Sequence, residues 1–477
     1  MTSIFSSSWR NGRELAGHTL TRTNAPESGL VDYDEPEDRE KSVNAKQQGF
    51  RWDQMLAPII VGVLLRLAFV ATPDRLTGDE IDHFQGSVEV SRSETPSVVP
   101  KRPPAYLYFG GTVLRVFGEA PIHIRIVQAI LEGVTITLII LLGRSRYGNP
   151  CGIVAGWIYA LSPEQISFSH TLWTETPLSL MLVVGWMTLM RLHERPGILI
   201  AILTGGAWGV LALLKPYNLY FFPILATLSF VSGGMSAHWR RATPRFTWTG
   251  VSVVMQLCVV FPWCDFSAKP FVIISSQGQR VLEVGTNYYP PPQFDFSYLR
   301  DVPEAQRRKQ GRRVSTSVFV IQNPGLFTVR GLEKMTNLWA PNSFLLRHIY
   351  SGHYGDPYSI SPWVRIGLST VTILCIGTVL ILAAFGMMGA KFEFFEWSIV
   401  CCLVCTIGMI SLTVSLSRYR VPLMPFLMIF AAYFLTKKDC GEAIRCSETR
   451  KIILGCSVSL LMFFWAYRLP SIVQALW

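Results

Sequence analysis

Residues 55–71, MLAPIIVGVLLRLAFVA, form an apolar run long enough to cross the hydrocarbon core of a bilayer, and the Pro73-Asp74 pair closes it with a turn. The same signature recurs near 122–142, 152–161, 177–190, 198–214, 217–231, in a run ending at Phe261-Pro262-Trp263, and near 366–388, 397–416, 421–435 and 452–465. Only 16% of the 477 residues are charged and 50% are hydrophobic, against roughly 25% charged in an ordinary soluble domain. With lipid as the solvent, one helical bundle uses most of the chain. The expected fold is therefore an all-α membrane protein, a polytopic bundle of about eleven transmembrane helices with amphipathic outer-loop helices and one large extracytoplasmic loop.

The polar stretches between the runs fix the organisation. Residues 1–50 carry no apolar core, so they are no secretory signal and read as a disordered cytoplasmic tail. With that tail inside, Arg144 and Arg146, Arg191 and Arg195, Arg240, Arg241 and Arg245, and Lys437, Lys438, Arg445 and Lys451 all fall on the cytoplasmic side, the positive-inside pattern. The same assignment leaves 74–102, 162–176, 263–363 and 417–420 outside. The domains expected are an N-terminal transmembrane module over 51–262 with its first outer loop at 73–120, an extracytoplasmic loop or lid over 263–362 containing YYPPPQF (288–294) and RRKQGRR (307–313), and C-terminal helices over 363–477. The net charge of +11 is thus explained by helix anchoring, and no basic helix or aromatic platform points to nucleic acid. The ten cysteines lie mostly inside apolar runs, where Cys401, Cys402 and Cys405 read as small buried side chains.

Titratable groups gather on the outer side. LTGDEIDHFQG (76–86) places Asp79, Glu80, Asp82 and His83 at membrane level, where carboxylates are costly and usually functional, although the same residues in a loop lying in water would be ordinary. Neighbours on a helix point about 100° apart, so Asp79 and Glu80 do not address one target together; one is the base candidate and the other orients a partner. Glu175 opens the run at 177, where an acid also complements the helix dipole. Lys101 and Arg102 precede Pro103-Pro104, an extended platform suited to an anionic headgroup or to snorkelling at the interface. Arg418 and Arg420 flank Tyr419 in LSRYRVPLMP, and an arginine fork matches two phosphate oxygens. Lys215 sits at a turn that Pro216 alone explains, and His170 reads equally as a hydrogen-bonded structural histidine.

GDEIDHF, RPPAYLYFGGTVLRVFG (102–118), ALSPEQISFSHTLWTETPLSL (160–180), LLKPYN (213–218) and SRYRVPLMPF (417–426), taken in that order, resemble the GT-C membrane glycosyltransferases. Within these the chain looks most like the bacterial relatives of protein O-mannosyltransferases and of aminoarabinose-lipid A transferases. The resemblance covers about 56–435. It implies a multi-pass enzyme of the bacterial inner membrane whose outer-loop acidic pair carries the base, matching Asp79 with Glu80 beside it, a second acid matching Glu175, and a basic residue matching Arg102. It also implies a polyprenyl-phosphate sugar donor and a lipid, glycan or protein acceptor. The family's PWxxRN pattern appears here as Pro262-Trp263-Cys264-Asp265-Phe266-Ser267, without the arginine and asparagine.

Such a donor brings its own leaving group, so an inverting single displacement needs one base and positive charge on the departing phosphate. The assignments that follow are Asp79, Glu80 and Glu175 as the catalytic acids, Lys101, Arg102, Lys215, Arg418 and Arg420 as donor-phosphate ligands, and His83, His170 and Tyr419 toward acceptor or sugar. The residues alone name no cofactor with certainty. A divalent metal on Asp79, Glu80, His83 and Glu175 stays open, because spacing alone does not decide it. The rival reading is a polyprenyl-lipid flippase or transporter, in which Glu132, deep in the run at 122–142, would relay protons. A structural membrane subunit without activity explains the clustered acids and bases least well.

Overall fold

The computed structural model describes residues 52–73, 75–97, 99, 101–234, 239–265, 272–275, 282, 316–341, 343–350, 352–356, 360–437, 441, 444–445 and 447–476. The expected tail, the YYPPPQF and RRKQGRR stretches and the Phe266-Ser267 end of the PWxxRN-like segment lie outside the described residues. Helix dominates the rest, as a chain in lipid requires, since every backbone group there must be satisfied within its own segment.

Helix α1 (Trp52–Phe69) leads to a short helix α2 (Asp79–Ser91) and a second one, α3 (Pro104–Phe117), which pack against each other. Pro103 is extended and Pro104 occupies the first turn of α3, where its missing N–H has no partner to lose. One side of α3 is buried through Tyr106, Leu107 and Leu114, while Tyr108, Val116 and Phe117 are exposed, the amphipathic character expected of an outer-loop helix. The long α4 (Pro121–Tyr147) ends at Gly148, whose φ of 98° lets the chain turn directly into α5 (Asn149–Leu161). A break at Ser162-Pro163 separates α5 from the short α6 (Pro163–Ser169). Then come α7 (Glu175–Glu194), α8 (Ile198–Leu214), α9 (Asn218–Gly234) and α10 (Trp239–Val260).

A 3-10 turn at Phe261–Trp263 follows α10 and leads into two-residue strands, β1 (Cys264–Asp265) and β2 (Val272–Ile273), paired antiparallel. They are the described exception to the all-α expectation. Within the expected outer loop lie α11 (Thr316–Gln322), α12 (Pro324–Leu338) and α13 (Phe344–Tyr350). The C-terminal part contains α14 (Pro362–Gly389), α15 (Phe394–Leu412), a 3-10 helix at Ser417–Leu423, α16 (Met424–Thr436) and α17 (Glu448–Leu476).

Among the described residues, six segments are long and apolar enough to cross a membrane by themselves: Pro121–Tyr147, Arg245–Trp263, Pro362–Gly389, Phe394–Leu412, Ser417–Thr436 and Glu448–Arg468. Ile198–Leu214 and Asn218–Ser229 are shorter apolar helices. The run at 152–161 forms part of the 13-residue α5, about 20 Å long and so shorter than the hydrocarbon core. Leu64, Leu257, Leu374, Ile452 and Phe463 are exposed, which a lipid-facing surface explains and a water-facing one does not.

Glycines bring the helices close. A β-carbon at Gly386 of α14 would overlap the carbonyl of Phe430 in α16, one at Gly152 of α5 the carbonyl of Ile140 in α4, and one at Gly205 of α8 the carbonyl of Ser252 in α10. Such approach is how helices gain contact where lipid supplies no hydrophobic drive. Charge is buried too. Arg66 of α1 is fully buried, donates to the carbonyls of Gly62 (2.9 Å) and Ala160 (3.1 Å), and lies 3.3 Å from Glu132 of α4, itself 1% exposed. Glu132 is thus held against a permanently charged guanidinium between α1, α4 and α5. Gly386→Ala should cost about 1–3 kcal/mol of stability, read as a lower melting temperature in detergent. Gly206→Ala, whose β-carbon meets nothing within 4 Å, should leave it unchanged.

Candidate active site

The first outer loop positions the acids through the start of α2. Gly78 (φ 54°) precedes the helix, and Asp79, Glu80 and Asp82 fill its first turn, where carboxylates complement the helix dipole. Their neighbours then divide them. Asp79 faces outward between two arginines: its Oδ1 accepts from Arg102 Nη2 at 2.6 Å and its Oδ2 from Arg418 Nη2 at 3.0 Å. Glu80, one residue on, turns into the protein. Its Oε1 accepts from the Leu172 N–H (2.9 Å) and its Oε2 from the Thr77 N–H (2.9 Å). The roughly 100° step between neighbouring helix positions accounts for the split.

Arg102 is a fork shared with Asp82, whose Oδ2 accepts from Nε at 3.0 Å and Nη2 at 2.8 Å; Lys101 Nζ, half exposed, also reaches Asp82 at 2.6 Å. Glu175, at the first turn of α7, is 2% exposed and meets Lys215 Nζ at 3.4 Å and Arg418 Nε at 3.8 Å. Arg418 is therefore the hub. Its guanidinium lies 4.7 Å from the ring centre of Trp173, 5.6 Å from Tyr419 and 5.8 Å from Phe344, and Lys215 approaches Tyr419 at 5.8 Å. These contacts offset part of the cost of holding a cation away from bulk water. Arg418 Nε is buried and has no hydrogen-bond partner among the described residues. Asp79 keeps 28% of its side chain exposed, so the cluster is reachable from outside.

Electrostatics follow from this geometry. Burial works against ionising Asp79, yet Arg418 and then Arg102 overcome it and hold the carboxyl well below the usual carboxylate range. Burial likewise opposes the charge on Glu80, and its hydrogen bonds, first that with His353, outweigh it and lower the pKa. His83, almost fully buried against Tyr106, is pushed down to about 4 by burial and by Arg102. Its Nδ1 lies 2.7 Å from the Leu172 carbonyl. A carbonyl only accepts, so Nδ1 carries the proton and the other nitrogen keeps its lone pair.

Asp79, Glu175, Lys101, Arg102, Lys215, Arg418, Tyr419 and His83 thus gather at one site, drawn from α2, the turn before α3, α7, the α8–α9 turn and the 3-10 helix before α16. Two residues do not join them. Arg420 is fully buried, with Nη2 3.0 Å from Glu164 of α6 and Nη1 donating to the carbonyls of Leu338 and Ala340. It ties α6 to the end of α12, and the expectation that it binds donor phosphate is corrected. His170 is buried with Nε2 2.9 Å from the Arg66 carbonyl, a structural bond in place of the expected acceptor contact. Nor do Asp79, Glu80, His83 and Glu175 converge on a metal: among the described residues no group of three such side chains is placed to hold one, because both Asp79 oxygens face arginines and Glu80 points inward. Trp173, Phe344 and His353 are additions that the sequence reading did not single out. Trp173 lies within SHTLWTET, so its motif was visible; His353 gave no local signal.

The helical bundle that carries this cluster is similar in fold to solved membrane glycosyltransferases of the GT-C architecture. A family model described as dolichyl-phosphate-mannose-protein mannosyltransferase matches residues 101–264. The chain is similar in fold to the archaeal oligosaccharyltransferase AglB from Archaeoglobus fulgidus in complex with an inhibitory peptide and a dolichol-phosphate, at 14% identity and a TM-score of 0.51 over 89% of this chain and 56% of that one. The Archaeoglobus fulgidus enzyme tethered to an acceptor peptide containing the NVT sequon gives 14% identity and a TM-score of 0.51, over 90% and 56%. ArnT from Cupriavidus metallidurans bound to undecaprenyl phosphate gives 15% identity and a TM-score of 0.46, over 82% and 62%. The chain therefore spans less than two thirds of the length of these structures. No curated protein matches it in sequence.

The lowered pKa of His83 sets a pH dependence. The unfolded chain binds a proton near the ordinary value of 6.5 and the folded one only near 4, so the stabilising contribution is complete above the first value and is lost as pH falls toward the second. Melting temperature measured between pH 7 and pH 4 should fall less steeply in His83→Gln than in the wild type.

Proposed function

We propose that this protein transfers a sugar from a polyprenyl-phosphate donor to a lipid, glycan or protein acceptor at the non-cytoplasmic face of a bacterial inner membrane, with inversion in a single displacement. The observation that carries the reading is the convergence of Asp79 and Glu175 on Arg418, with Arg102 and Lys215 beside them. A cluster of this kind provides both a proton acceptor and a phosphate cradle. Arg418 Nε, buried without a hydrogen bond among the described residues and 3.8 Å from Glu175, is a donor left over for a ligand. The side assignment rests on the same helix: Glu175 opens α7 and Arg191 lies in its last turn, about 24 Å away along the axis, so the acids and the basic anchors occupy opposite ends. The fold shared with AglB, whose structure holds a dolichol-phosphate, is consistent with a lipid-linked donor.

In the transfer step Asp79 takes the acceptor proton as the acceptor oxygen bonds to the anomeric carbon. The bond from that carbon to the donor phosphate breaks, and its electron pair leaves on the phosphate. Arg102, Arg418 and Lys215 stabilise the departing charge, with Lys101 at the edge, while Glu175 orients the acceptor. Resting Asp79 is a weak base because both arginines pair with it. When their forks turn to phosphate, that neutralisation is lost and its basicity rises. Against the transporter reading, Glu132 is paired with Arg66 inside the bundle at 3.3 Å.

Purified protein in lipid, given a panel of radiolabelled polyprenyl-phosphate sugars with extracts of candidate acceptors, tests the reading. Wild type should release or transfer sugar from at least one donor. Asp79→Asn should lower turnover by about a hundredfold or more while still binding the donor; full turnover in that variant overturns the base assignment. Arg418→Lys keeps the charge but loses the fork, and should raise the donor KM or lower turnover by about tenfold. Wild type inert toward every donor would remove the proposed function.

A further inference from the structure

Glu80 is fully buried next to the exposed Asp79, and a fourth contact completes its environment. Besides the N–H groups of Leu172 and Thr77, its Oε2 has the Thr77 hydroxyl at 3.2 Å and His353 Nδ1 at 3.2 Å. His353 follows α13, far along the chain, and is itself fully buried. A carboxylate oxygen only accepts, so Nδ1 donates. The ring stacks on His348 (4.6 Å between centres) and meets the edge of Tyr354, whose hydroxyl lies 3.0 Å from Ser167 Oγ in α6.

His348 in turn packs edge-to-face on Trp173 at 4.9 Å, and Trp173 carries Arg418 on its face. The same stretch, Phe344 to Tyr354, therefore touches both halves of the site: the neighbour of the base through His353, and the platform of the arginine through His348 and Phe344.

We propose that His353 is a positioning residue for Asp79, acting through Glu80, so that the segment after α13 must be seated on the first outer loop for transfer to proceed. The inference rests on the reading of Asp79 as base, but its structural half does not. With the His353 donor gone, Glu80 loses one of its fixed partners, the first turn of α2 gains freedom, and Asp79 is presented to acceptor and phosphate in more than one orientation. Donor affinity, set by Arg102, Arg418 and Lys215, is less affected.

Two measurements on the full chain in detergent test it. Hydrogen exchange should rise about tenfold in His353→Ala at the amides of Thr77 and Leu172, which Glu80 accepts, with α8 and α10 unchanged. With an active donor, His353→Ala should lower kcat about tenfold or more and shift the donor KM less than about threefold, and His353→Gln, which retains an N–H for Glu80, should recover most of both. Unchanged exchange and unchanged kcat in His353→Ala overturn the proposal, as does a Gln variant no better than the Ala one. A wild type inert toward all donors defeats the glycosyltransferase reading, and the exchange result then decides on its own whether His353 fixes the loop.

Discussion

The guanidinium of Arg418 lies between Asp79 and Glu175 and over the ring of Trp173, largely shielded from water. A cation in that position cannot remain without partners, because both its hydration and its hydrogen bonds have to be replaced. The two carboxylates supply the charge and the indole supplies the face. Meeting that requirement draws together α2, α7 and the 3-10 helix before α16, and with them Lys215 and Arg102. The site is thereby organised around a group that is only partly satisfied, the feature on which the proposed anion binding rests.

Two other buried arginines show the contrast. Arg66 is surrounded by helix carbonyls and Glu132, and Arg420 by Glu164 and two carbonyls. Both are fully buried, so their partners are fixed by packing and no ligand reaches them. Such pairs cost desolvation and repay it mainly by specifying how helices meet. Asp79, Arg102 and Arg418 keep some exposure, so their ion pairs are open to exchange with a ligand in the proposed reaction.

The difference between Arg418 and Arg420 also marks where the local pattern stopped being informative. Both flank Tyr419 in SRYR and read alike as phosphate ligands. The chain there is a 3-10 helix, with three residues per turn, so positions two apart face different directions. One arginine meets the outer carboxylates and the other enters the core. Glu80 and Asp79 separate for the same kind of reason on α2, and there the step between neighbouring helix positions allowed the split to be read in advance.

Apolar runs and their lengths are properties of short stretches, and lipid leaves them few alternatives to helix, so the sequence by itself determined a polytopic helical bundle and located the acidic, basic and proline-led motifs between its apolar runs. It also put forward Asp79, Glu80 and Glu175 as the candidate acids. The tertiary structure decided which charges share a partner: that Arg102 forks between Asp79 and Asp82, that Arg420 and His170 are structural, and that Glu80 answers to His353. These are contacts between residues remote in the chain, and their geometry depends on how whole helices pack, through glycine contacts and buried ion pairs that no local period encodes.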